Sequence, residues 1–113
     1  MSKALMIALS NPVSKEREEE YNNWYNNVHA KELMALPGFH SVRRYRAARQ
    51  MLPVSEDGEP TYRFMAVYEV DDAKEAIQTI LDNDPTFNMS DSIDFANAFG
   101  VAFEEIFSAK AES

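Results

Sequence analysis

The residues best suited to chemistry lie in one stretch, Glu20 to Phe39, reading EYNNWYNNVHAKELMALPGF. It holds the only Trp, Trp24, and one of the two His, His29. A histidine with its ordinary pKa of ~6.5 gives and takes protons at neutral pH. Tyr25 stands one helical turn before His29 on the same side. Together they form a minimal acid–base pair. His29 would be the general base, and Tyr25 the donor to an oxyanion developing on a substrate carbonyl or phenol. Asn22 and Asn26 fall close to His29 on a helical wheel and would orient the bound group beside Trp24. The competing account is a helix-edge histidine that makes one polar contact beside Trp24.

A second group comes from predicted strands. Arg43, Arg44, Arg46 and Arg49 form a local basic strip on an acidic chain. It would either hold an anionic small molecule or pair with acidic helix surface. Arg43 shares a predicted strand face with Phe39 and Tyr45, where it would bind a carboxylate or enolate. A salt bridge to Glu69 or Glu105 is the structural alternative. Tyr62, Phe64, Tyr68, Phe103 and Phe107 are expected on the same side as Leu5 and Ile7. Such a stripe makes either core or an aromatic-lined cavity for a hydrophobic or aromatic ligand. His40 falls on the opposite strand face, at a loop edge or interface. His29 and His40 have no third ligand at metal-site spacing, so no metal is expected. The chain has no Cys. It also lacks G-x-G-x-x-G, Walker and G-x-S-x-G patterns. No nucleotide cofactor and no acyl-enzyme follow from it, and the expected cofactor is none.

These side chains need elements to hold them. Residues 3–9, KALMIAL, are an apolar strand: Leu5, Ile7 and Leu9 point one way, Ala4, Met6 and Ala8 the other. Asn11-Pro12 breaks it. A helix is expected from about Lys15 to Leu36, capped by Ser14, with Glu16, Glu18, Glu19 and Glu20 in its first turns. Tyr21, Trp24, Tyr25 and Val28 make its apolar face, and Pro37-Gly38 stops it. Strands follow at Phe39 to Met51 and Thr61 to Val70, joined across Asp57-Gly58. Asp71 or Asp72 caps a second helix to about Leu81. Thr86 to Met89 fits a turn of helix, and Ser90 to Ala96 a short helix or loop. Val101 to Ala109 is the last strand, and a polar tail begins at Lys110.

The order is β-α-β-β-α-β over one domain, 1–113. The pattern is α+β and ferredoxin-like: a four-stranded antiparallel sheet with both helices on one face. The other face carries Ala4, Met6, Ala8, Val42, Met65, Val67, Ala102 and Ile106 in this reading, and is also apolar. It needs a cover. A second copy of the chain is the simplest, giving a homodimer packed sheet to sheet.

With 45% apolar and 27% charged residues in 113, the composition is that of a globular protein. The net charge of −8 argues against nucleic acid, which needs a basic footprint. MSKALMIALSNP reads as a first strand rather than a signal peptide. No apolar run reaches membrane-spanning length, so no membrane is expected and the default compartment is the cytoplasm.

Trp24, Tyr25, Asn26 and His29, followed by Leu36-Pro37-Gly38-Phe39 and an Arg-rich strand, resemble the dimeric α/β-barrel superfamily, and within it the EthD-like proteins. The resemblance implies a dimer whose sheets join into a barrel. It also implies a ligand cavity in each subunit between sheet and helices. That superfamily includes polyketide cyclases, cofactor-free quinone-forming monooxygenases, lactone isomerases, dehydratases and haem-degrading enzymes, so the fold does not select a reaction. The expected function is proton transfer on an aromatic or polyketide-like molecule without a cofactor. The alternative is a non-catalytic dimeric ligand-binding or stress-associated protein of the same fold.

Overall fold

The computed structural model describes residues 3–112. Four strands form one antiparallel sheet in the order β2-β3-β1-β4: β1 Ala4–Ser10, β2 Phe39–Arg46, β3 Phe64–Val70 and β4 Phe99–Glu104. The expected α+β, ferredoxin-like arrangement is present. β1 lies inside the sheet, with Met6 opposite Tyr68 on one side and Ala102 on the other.

The first helix is continuous but changes pitch. A 3-10 turn at Lys15–Arg17 leads into an α segment Glu18–Trp24, a π segment Tyr25–His29 and an α segment Ala30–Met34. Asn residues compete for backbone hydrogen bonds, which fits a loosened ladder across YNNVH. Gly38, at φ +83, makes the left-handed turn after this helix. Ser14 has the extended backbone of an N-cap but makes no side-chain cap bond. The second helix, Ala73–Asn83, does have one: Glu75 N donates to Asp72 Oδ2 at 2.8 Å.

Four expectations need correction. First, the helices cover the face made by Ala4, Met6, Ala66, Tyr68, Val70 and Val42. Leu5, Ile7 and Leu9 lie on the opposite, open face with Val67, Tyr45 and Phe103. Small Ala4 and Ala66 let the helices close on the sheet, and strand alternation alone does not say which apolar set they choose. Second, a register shift between Phe39 and Ser41 resets β2. Phe39 stays in the core, while Arg43 and Tyr45 turn to the open face and Arg44 turns inward. Third, β2 stops at Arg46, β3 starts at Phe64, and the chain between them is an irregular excursion closed by Ala47 N→Arg63 O and Gln50 N→Gly58 O, both 2.8 Å. Fourth, β4 ends at Glu104, so Phe107 and Ile106 belong to an exposed tail rather than to the sheet. Of the polar tail, Ser113 lies outside the described residues.

Residues 84–98 cross over the first helix as a strap with 3-10 turns at Asp84–Thr86 and Phe95–Asn97. Backbone bonds Val13 N→Ser92 O (2.8 Å) and Asp94 N→Asn11 O (2.9 Å) fasten it to the chain after β1. Arg17 ties the same strap by a salt bridge to Asp91.

Candidate functional site

Between the sheet and the helices, closed from one side by the strap, lies a cavity of about 520 Å³. Trp24, Tyr25, His29 and Leu33 from the first helix line it, with Met6 and Tyr68 from the sheet. Ile77 and Ile80 of the second helix and Asp84, Phe87 and Ile93 of the strap add to the wall.

The π segment sets the geometry at its centre. It widens the helix where Tyr25 and His29 both face inward. The imidazole stacks on Trp24, with ring centroids 4.9 Å apart and planes 17° from parallel. Tyr25 meets the imidazole edge-on at 5.3 Å and Phe87 at 5.7 Å. Trp24 is itself pinned by its Nε1–H, which donates to Asn88 O at 2.7 Å. The imidazole is thus held on three sides by rings.

Its polar partner is Glu32, one turn further along. His29 Nδ1 lies 3.7 Å from Glu32 Oε1, and neither atom reaches water or completes a hydrogen bond. The other carboxylate oxygen accepts from Asn88 N at 2.7 Å and from Asn88 Nδ2 at 3.1 Å. Burial pushes the His29 pKa below its ordinary value, against the smaller opposing pull of Glu32. The ring is therefore a neutral base at neutral pH. With Nδ1 turned to Glu32, Nε2 is the nitrogen available to a ligand.

Two phenols stand beside it. Burial pushes the Tyr25 and Tyr68 pKa values up, so both remain protonated donors. The two hydroxyls influence each other's ionisation, yet Tyr68 Oη completes no hydrogen bond. Tyr21, one turn before Tyr25, is spoken for: its hydroxyl pairs with Ser10 Oγ at 2.5 Å.

The cavity brings His29, Tyr25, Trp24 and Tyr68 together. The other residues singled out from the sequence lie elsewhere. Asn22, Asn26, Tyr45 and Phe64 border a separate hollow of about 340 Å³, where Asn26 Oδ1 accepts from Arg44 Nη1 at 2.9 Å. Phe64 is core, packed on Tyr21 at 5.3 Å. Arg43 is exposed on the open face of the sheet, far from the role sketched for it. Glu32 carries no mark in the sequence reading, and Arg44 enters it only as one of the basic strip of Arg43, Arg44, Arg46 and Arg49. The spacing His29-x-x-Glu32 was the available signal for the first, since residues three apart share a helix face. Nothing short of the β2 register shift identifies the second. Among the described residues, no group of three His, Asp or Glu side chains is placed to hold a metal ion. No helix there is long and apolar enough to cross a membrane.

The model of a domain of unknown function, DUF4286, matches residues 6–109. The chain belongs to this DUF4286 family. No curated protein matches it. Solved structures do resemble the DUF4286 chain. A candidate monooxygenase from Shewanella loihica superposes with a TM-score of 0.63 at 15% identity, covering 96% of this chain and 99% of that one. An ethyl tert-butyl ether D (EthD) family protein from Bacillus halodurans gives 0.59 at 18%, over 94% and 100% of the two chains. HapK from Hahella chejuensis gives 0.57 at 14%, over 97% and 99%. At these identities the likeness is one of fold.

Proposed function

We propose that this protein is a small EthD-like enzyme that binds an aromatic or polyketide-like molecule in the cavity and moves a proton on it without a cofactor. One observation carries the reading: the neutral imidazole of His29 forms part of the wall of a cavity of about 520 Å³. That volume is in the range of ~300–1,000 Å³ usual for small-molecule sites. Glu32 favours the tautomer protonated at Nδ1 and would stabilise the imidazolium once Nε2 has taken a proton. Tyr25 would donate to the oxygen on which charge develops. Returning the proton to another atom of the same ligand completes an isomerisation; returning it to a departing hydroxide completes a dehydration. The fold is shared with a candidate monooxygenase and an EthD family protein. It does not choose between these outcomes.

The working unit we propose is a homodimer. The open sheet face presents Leu5, Tyr45, Phe99 and Phe103, each more than a third exposed. It is continuous with Ile7, Val67 and Val101, which a second copy would bury. Sedimentation velocity at micromolar concentration tests this, and a monomer would sink it.

Proton transfer is tested by following deuterium uptake from solvent at an activated C–H of aromatic lactones and 1,3-diketones by NMR. The wild type should accelerate exchange for at least one of them, and His29→Gln should not. A His29→Gln rate equal to wild type would falsify the role of His29. A second reading, ligand binding without catalysis, draws on the 3.7 Å gap between His29 and Glu32, which is longer than a hydrogen bond. Binding of the same probes by thermal shift with no exchange in either protein would favour it.

A further inference from the structure

Arg44 has no part in the proton transfer above, and its placement is costly. Its guanidinium carbon lies 4.2 Å from the centroid of the Tyr25 ring and 5.4 Å from that of Tyr21. Nη1 is satisfied by Asn26, but Nε and Nη2 are buried with no partner. A half-buried cation with two buried, unfilled donors is hard to justify on stability alone. On the cavity side of the same aromatic cluster stands a second incomplete group. Tyr68 is fully buried and lines the cavity, and its hydroxyl has the Tyr25 hydroxyl as a neighbour but completes no hydrogen bond of good geometry. Arg44 and Tyr68 share the covered sheet face as diagonal neighbours, since Val42 pairs with Tyr68 and Arg44 with Ala66, and the Arg44 charge favours negative charge at both the Tyr25 and Tyr68 hydroxyls. A neutral donor with a fixed cation behind it, in a site of low dielectric, suits an oxygen that carries negative charge.

We propose that Tyr68 and Arg44 form an oxyanion subsite, and that the ligand of this cavity is an aromatic or enolic compound bound through an acidic oxygen as its phenolate or enolate. The Tyr68 hydroxyl donates to that oxygen, Arg44 supplies the charge from behind the Tyr25 ring, and the released proton goes to solvent. This rests on the reading of the cavity as a ligand site and narrows what it accepts.

The probe is 4-nitrophenol, whose phenolate absorbs at longer wavelength than its phenol; nitrobenzene is the control without the acidic oxygen. The wild type should bind 4-nitrophenol at least about tenfold more tightly than nitrobenzene, as a hydrogen bond to a charged group allows. The bound probe should show a larger phenolate fraction than free probe at the same pH. Tyr68→Phe and Arg44→Met should each lose about tenfold in 4-nitrophenol affinity and lose the phenolate shift, with nitrobenzene binding within about twofold. His29→Gln should keep the shift, which separates this subsite from proton capture by the imidazole. Arg44→Met should unfold at the same temperature as the wild type or higher; if it fails to fold, Tyr68→Phe carries the same test. Binding of 4-nitrophenol without a shift, a shift that survives in Tyr68→Phe, or one that vanishes in His29→Gln overturns the subsite and leaves the cavity reading standing. Failure of the wild type to bind either probe overturns both.

Discussion

The two histidines of this protein each face a carboxylate, and distance and burial rank the pairs in opposite order. His40 Nε2 lies 2.5 Å from Asp71 Oδ1, whereas His29 Nδ1 lies 3.7 Å from Glu32 Oε1. The first pair is on the surface, with side chains 59% and 56% exposed; the second is 17% exposed at both partners. Water screens the close pair, so its worth is limited to fastening the turn where Asp71 N also donates to Gly38 O at 2.9 Å. The looser pair sits at a cavity, walled by Trp24, Tyr25 and Phe87, where each electrostatic effect is larger. The role proposed for His29 rests on its burial at the cavity, not on the length of its contact with Glu32.

The sharpest way to break this contrast is substitution. His29→Gln should lower any proton-transfer rate by about 100-fold or more, the usual contribution of a general base. His40→Gln should stay within about twofold in the same NMR exchange assay. Comparable losses in both would erase the distinction.

A smaller effect is expected from the carboxylate. Glu32 raises the His29 pKa, opposing burial. Glu32→Gln should therefore move the His29 titration midpoint further down, read from the imidazole proton shifts by NMR, and slow proton transfer by about tenfold through lost orientation. An upward or absent movement would show that Glu32 does not act on the ring.

Next comes stability against pH. The folded-state pKa of His29 lies below its unfolded value of ~6.5. Within that window the unfolded chain binds more protons, so stability rises with pH and is complete above the unfolded value. Denaturant unfolding should show the wild type losing stability relative to His29→Gln as pH falls below about 6.5. The surface pair should give the least: Asp71→Ala should cost no more than about 1 kcal/mol by denaturant midpoint at neutral pH.

Much of the positioning was legible in the residues. Asn11-Pro12 and Pro37-Gly38 mark the breaks around the first helix, and the apolar run at Tyr21, Trp24, Tyr25 and Val28 marks its inward face. His29 one turn beyond Tyr25 followed from helical spacing, although the π segment widens that spacing locally. The apolar character of both sheet faces was also legible, because β1 contains almost no polar residue to mark an outside. That same lack of contrast leaves the side of β1 undetermined, whereas the aromatic set Phe64 and Tyr68 of β3 falls on the helix side as expected.

By itself, then, the sequence determined the element order, the ferredoxin-like α+β pattern and a helix carrying His29 with Tyr25. These depend on local periodicity and on Pro and Gly breaks, which act within a few residues. Tertiary structure alone decided which apolar set met the helices, since period-two alternation has no preferred side until Ala4 and Ala66 let the helices approach. It alone turned Arg44 inward in place of Arg43, because one register shift reverses every later side chain in a strand. It also brought Asn88 to Glu32 and Phe87 to His29, contacts that depend on a strap distant in sequence and without a periodic signature.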